Sequence, residues 1–197
     1  YAGVQVNNPL NDTFMQEVSQ ISGVNGIIPF EKLYCTFEYN GRRDKDFIVP
    51  FTEEEFTHLS QYMETKDRNY SDIVKNKEIF VLKNDAVEEI YGWKFQPGDT
   101  IKFEWFDGTE YREDVFSVGG EISNEKAYSD PECFTALGVS GWFLMPDELI
   151  RTMLPEGYNI NSEVLLSTEW DSKEAEITQQ LNSIVSSSNN LQMRTLR

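Results

Sequence analysis

The chain has 197 residues, 39% hydrophobic and 13% aromatic, which suffices for one sizeable domain or two small joined ones and does not resemble a disordered tail. Its formal net charge of −17 argues against nucleic acid and against an anionic membrane surface, because both need clustered Lys and Arg. That charge serves solubility and, in a sharper reading, attraction of a cationic ligand or peptide.

No apolar run approaches the ~20 residues that span a bilayer, and no signal peptide is present. The sequence starts at Tyr1 without Met and stops inside a strand-like segment at Arg197, so it reads as a piece of something longer. Cys35 and Cys133 fit no metal or redox spacing. They read as two buried free thiols or as one long-range disulfide.

In chain order, Tyr1 to Val6 reads as a short strand and the segment from Asn7 to Asp12 as a turn-rich link. A helix follows over Thr13 to Ser22, with Phe14, Val18 and Ile21 on one face and Gly23 just past its end. Val24 to Phe30 and Leu33 to Tyr39 read as strand, Asn40-Gly41 as a two-residue hairpin turn, and Phe47 to Phe51 as the returning partner. Thr52 and Glu55 form a capping-box pair before a helix whose apolar face is Phe56, Leu59 and Met63. The polar segment from Asp67 to Asn76 reads as a loop.

Ile79 to Leu82 reads as a buried strand, followed by a short helix capped by Asn84 and ended by Gly92. After the Pro97-Gly98-Asp99 turn, the strand from Thr100 places Ile101, Phe103 and Trp105 on one side and Thr100, Lys102 and Glu104 on the other. Asp107-Gly108 turns it back into Tyr111 to Val118, and Gly119-Gly120 marks a bulge or bend. Ser123 to Ser140 reads as a long loop carrying Tyr128 and Phe134. Trp142 to Met145 reads as an apolar strand, and Pro146 starts a helix with Leu149, Ile150, Met153 and Leu154 on its buried face. A strand over Ile160 to Ser167, a helix from Asp171 through Val185 and a strand over Leu191 to Leu196 complete the chain.

The pattern predicts an α+β fold: two βαβ units from the chain ends, sharing a sheet with helices on one face, and a smaller β-rich subdomain inserted between them. The boundaries fall at residues 1–76 with 141–197, and 77–140.

Three segments together carry a family resemblance: "QISGVNGI" at residues 20–27, "IFVLKNDAVEEIYGWKFQPGDTIKFEW" at 79–105 followed by "FSVGGEIS" at 116–123, and "GWFLMPDELIRTMLP" at 141–155 leading to the terminal "MRTLR". Their order and spacing resemble the extracytoplasmic domain of FtsX/MacB-like ABC-transporter permeases over nearly the whole chain. The resemblance implies a porter-like subdomain and a β-rich insert, looped out between two transmembrane helices on the outer side of the cell membrane. It also implies an ATP-binding cassette ATPase subunit as partner through those helices, an extracytoplasmic substrate or partner protein, and a homodimer in the full-length transporter. Under this reading Lys77 to Trp105 is the hinge where the chain enters the insert, and Ile79 to Leu82 should be buried near the boundary of the two subdomains.

The search for chemistry predicts no catalytic, cofactor-binding or metal-binding residue. No P-loop occurs. Gly138-Val139-Ser140-Gly141 only superficially resembles a nucleophile elbow, the sole histidine His58 has no ligand partner at a metal spacing, and Glu53-Glu54-Glu55 reads as a helix N-terminus. The aromatic residues concentrate in the β-rich part. Tyr128, Phe134, Trp105 and Phe106 are the expected partner-binding residues, against the plainer reading that such rings fill a small core. A secreted α+β enzyme or a surface adhesion module is the alternative function.

Overall fold

Asn40 and Gly41 take φ of 51° and 75°. Left-handed conformation at both positions suits a tight turn whose twist matches its flanking strands. Strand β2 (Val24–Tyr39) therefore folds back on β3 (Arg42–Phe51), with Tyr39 opposite Arg42 and Leu33 opposite Ile48. The computed structural model describes residues 2–6, 12–63, 68–83, 85–123, 143–158, 161–168, 170–186 and 191–195. The expected Asn84 cap, Cys133, Tyr128 and Phe134 lie outside them.

The chain forms two compact units, residues 1–32 with 159–197, and residues 33–158. The first contains β1 (Ala2–Val6), helix α1 (Asp12–Ser19), β2 as far as Lys32, and, from the far end of the chain, β8 (Asn161–Thr168), α6 (Trp170–Ser186) and β9 (Leu191–Thr195). Its strand order is β2-β8-β1-β9 with every neighbour antiparallel. Hence β1 and β2 run parallel with β8 between them, and β8 and β9 run parallel with β1 between them. These are two interleaved split β-α-β units. Helices α1 and α6 touch, with Val18, Ile21, Ile177 and Leu181 buried. Gly23 lets the chain turn at the end of α1 with φ 95°, and a Cβ there would lie 3.0 Å from the Ile177 side chain.

The second unit is a closed six-stranded barrel. Besides β2 and β3 it uses β4 (Glu78–Lys83), β5 (Thr100–Phe106), β6 (Tyr111–Ser123) and β7 (Phe143–Pro146). The order is β3-β7-β4-β6-β5-β2, and β2 pairs again with β3, so no strand of the ring is left with an open edge. Strands on either side of residue 77 and of residue 140 share this ring: β4 pairs parallel with β6 and antiparallel with β7, and β7 pairs parallel with β3. Alternation turns Leu33, Cys35, Phe37, Ile101, Phe103 and Trp105 inward, all buried. Phe143 sits among the interior rings, 4.9 Å from Phe37 and 5.0 Å from Phe103 between centroids. Trp93 and Phe95, on the segment after α4 (Asp85–Tyr91), stack on each other and meet Phe37.

The parallel register of β4 on β6 skips Gly119, since Ile79 faces Val118 and Phe80 faces Gly120. That bulge reverses which side of β6 points inward. Phe116 and Val118 face the interior, whereas Ile122 joins Val49, Phe51, Phe80, Leu82 and Leu144 on the outside. Two helices cover this outer apolar patch. The first, α2 (Glu53–Leu59), starts at the expected capping box: Thr52 Oγ1 accepts from the Glu55 amide at 3.2 Å, and Glu55 Oε1 accepts from the Thr52 amide at 3.4 Å. It ends at Leu59, and a 3₁₀ turn over Ser60–Tyr62 carries the chain to buried Met63.

The second, α3 (Tyr70–Lys75), lies where the polar composition suggested a loop. Asn69 caps it through an acceptor bond from the Ser71 amide at 2.9 Å, and Tyr70 and Ile73, three residues apart, press one face into the patch. Pro146 ends β7 and serves as the N-cap of α5 (Asp147–Met153), whose Leu149, Ile150 and Met153 are buried. Ile79 to Leu82 are buried, as expected, but on β4 within the unit of residues 33–158.

Candidate partner-docking face

Successive residues of β5 separate the two expected aromatic positions. Trp105 points into the barrel at 3% exposure, and its Nε1 donates to the Met153 carbonyl at 2.9 Å. Phe106 points out at 45% exposure. The register brings Tyr111, 74% exposed, directly opposite Phe106, with ring centroids 5.3 Å apart.

On the same outer side, the tight turn at Asn40-Gly41 sets Tyr34 opposite Phe47 at 4.1 Å, edge to face. The pairing of β2 with β5 ends at Thr36 opposite Glu104, and alternation puts Tyr34 and Phe106, each two residues beyond it, on the same outer side. Phe47 with Tyr34 and Phe106 with Tyr111 thus make an outer aromatic row of two cross-strand pairs, one on β3 and β2, the other on β5 and β6. The sequence reading names Phe106 as a candidate and Tyr111 among the aromatics of the β-rich part, but neither Tyr34 nor Phe47. The signal was available: a two-residue turn at positions 40 and 41 fixes 34 against 47.

Charged residues border the row. Lys102 Nζ lies 3.3 Å from Glu38 and 3.9 Å from Glu113, and Arg43 lies 3.6 Å from Glu104. At the β5–β6 turn the buried carboxylate of Asp107 accepts from the amides of Thr109 and Glu110, both at 2.8 Å, and pairs with Arg112 at 2.5 Å. The backbone donors of Glu110 and Thr109, then Arg112, hold its carboxyl below the usual range. The turn that carries Phe106 and Tyr111 is therefore pinned.

A cleft of about 360 Å³ is lined by Trp105, Arg112, Glu113, Asp114, Thr152 and Met153. Its charged walls are engaged: Arg112 with Asp107, and Asp114 with Lys77 at 2.5 Å. Cys35 is a buried thiol donating to the Asp46 carbonyl at 3.4 Å, and burial, then the Asp46 charge, pushes its pKa upward. That keeps it protonated, whereas a cysteine nucleophile must be a thiolate. His58 is half-buried in the last turn of α2. Burial and the neighbouring carboxylates of Asp147 and Glu54 raise Glu55, against the lowering effect of its bonds to Thr52. Among the described residues no group of three or more His, Cys, Asp or Glu could hold a metal ion, and no helix is long and apolar enough to cross a membrane.

No protein-family model and no curated protein sequence matches the chain. Among solved structures it is similar to the periplasmic region of MacB from Actinobacillus actinomycetemcomitans, at 13% identity and a TM-score of 0.44, over 98% of this chain and 88% of that one. It is also similar to the extracellular domain of the ABC-type transporter YknZ from Gram-positive bacteria, at 13% identity and a TM-score of 0.39, over 99% of this chain and 100% of that one.

Proposed function

We propose that the chain is a non-catalytic extracytoplasmic domain of an ABC-transporter permease, which couples motion of transmembrane helices to recognition of a substrate or partner outside the membrane. The observation that carries this reading is the pairing of Ala2 with Thr195 on adjacent antiparallel strands. Any chain before β1 and beyond β9 would leave the same end of one sheet, side by side, as a domain looped out between two neighbouring membrane helices requires. The ordered motif resemblance of the sequence supports the same family.

In this reading the four-stranded unit is the porter-like part that receives helix motion, and the barrel unit is the recognition part. An ATP-binding cassette ATPase drives the helices from the other side, and the full-length transporter is a homodimer. The charge of −17 favours a cationic peptide as the recognised ligand.

The test is topological. Val115, 48% exposed on β6, is replaced by Cys in the full-length gene product carrying Cys133→Ser. A membrane-impermeant maleimide should label it in intact cells or spheroplasts. Labelling only after lysis would overturn the reading.

A further inference from the structure

We infer that the outer aromatic row of the barrel, Tyr34, Phe106 and Tyr111 with Phe47 supporting Tyr34, docks an extended basic peptide segment in which Lys or Arg alternates with apolar residues. Tyr34 is 49% exposed, Phe106 45% and Tyr111 74%. Most rings on this unit do otherwise. The barrel interior and the face under α2 and α3 each bury theirs. Three large exposed rings on the outer side of three adjacent strands are half of the six exposed large hydrophobics among the described residues.

Ring geometry limits the occupant. Neighbouring rings are tilted by 60° between Tyr34 and Phe47 and by 55° between Phe106 and Tyr111. Tilted rings leave notches rather than one flat platform, so they suit side chains entering between them better than stacked sugar rings or bases. The row also follows the outside of a closed barrel, which is convex. An extended chain can wrap it, and a straight helix cannot.

Charge selects the sign. Three of the cations near these rings are held by carboxylates, Arg43 by Glu104, Lys102 by Glu38 and Glu113, and Arg112 by Asp107 and Glu110, while exposed Lys45 lies at the Phe47 end, away from Tyr111. Glu113 and Glu110 keep 63% and 68% of their side-chain surface exposed at the Tyr111 end. A cationic side chain meets ring faces, which attract it, and these carboxylates together. A second copy of the chain would bring another net charge of −17 to the same place, so self-association is disfavoured.

The inference deepens the recognition role proposed above, and its test is separate from the topology test. The purified chain is titrated into labelled, end-blocked (Arg-Leu)5 and (Glu-Leu)5 peptides, followed by fluorescence anisotropy at low and at physiological salt. The basic peptide should bind, and Phe106→Ser/Tyr111→Ser should weaken it at least tenfold while near-ultraviolet circular dichroism of the barrel is retained. Failure of the basic peptide to bind, equal binding of the acidic one, or equal binding by the double variant would each overturn the inference. Loss of peptide binding in a full-length protein that still labels from outside removes the docking site and leaves the permease reading. Binding by a chain that labels only after lysis does the reverse.

Discussion

The indole Nε1 of Trp105 donates to the Met153 carbonyl at 2.9 Å, which joins β5 to the final turn of α5. A helix ends with carbonyls that have no partner within it, and here a barrel side chain supplies one. Trp105→Phe keeps most of the ring but removes the donor, leaving a buried acceptor unmet at a cost of about 1–3 kcal/mol. Trp105→Ala adds a cavity and should cost about 3–5 kcal/mol. Urea unfolding of the two variants measures both. Equal midpoints for Trp105→Phe and the parent would mean that the bond contributes nothing.

Gly119 sits at the bulge of β6 against a ring with no room to retreat. A Cβ there would lie 3.1 Å from Phe80 Cζ and 3.3 Å from Glu78 Cβ, and Phe80 is fully buried beneath α2 and α3. Gly119→Ala should destabilise by about 1–3 kcal/mol through overpacking. Phe80→Leu in the same chain relieves the clash, so the double variant should lose less than the sum of the two single losses. Thermal or urea unfolding of the four proteins gives the coupling directly.

Alkaline pH should unfold the protein through two identified groups. Burial raises Cys35 above its ordinary value of 9.0, and burial together with the Asp99 hydrogen bond raises Tyr39 from 10.0 to about 12. Well below pH 9 both groups are protonated folded and unfolded, and stability is full. Above it the unfolded chain releases protons that the folded one keeps, so stability falls with rising pH. Tyr39→Phe should flatten the decline between pH 10 and 12, and Cys35→Ala should flatten the part that begins near pH 9. Unfolding free energy measured from pH 7 to 12 in the three proteins tests this. A parallel decline in all three would assign the alkaline limb to other groups.

Local signals read true where one or two residues decide the backbone. Asn40-Gly41 gave the hairpin and its register, Thr52 with Glu55 gave the start of α2, and Gly119 gave the bulge. Alternation along β5 put Trp105 with Ile101 and Phe103, which is why it lies inside while Phe106 lies outside. Helix α3 was hidden because its apolar face has only Tyr70 and Ile73, with Val74 partly buried beside them, too few for a periodic pattern. Barrel closure was hidden for a different reason. Pairing β7 with both β3 and β4 joins segments far apart in sequence, and no local preference encodes which distant strand a short apolar run such as Phe143–Pro146 will meet. The aromatic row depends on both levels: two tight turns set its pairs, and the distant pairing of β2 with β5 brings the two hairpins that carry them into one sheet.

The register of β1 on β9 can be trapped covalently. Ala2 is the Cα partner of Thr195, whereas Gln192 pairs with Gln5 and so lies three positions away from Ala2 along the ladder. With Cys133→Ser removing one native thiol and Cys35 buried, Ala2→Cys/Thr195→Cys should close a disulfide under mild oxidation. Ala2→Cys/Gln192→Cys should not, because three strand residues separate the sulfurs by about 10 Å. Proteolysis followed by mass analysis should recover the two terminal peptides joined in the first variant only, and the crosslink should raise unfolding free energy by about 2–4 kcal/mol. A crosslink formed equally well in the control pair would show that the ends are not held in this register. The side-by-side exit of the chain, on which the looped-out placement between two membrane helices depends, would then lose its support.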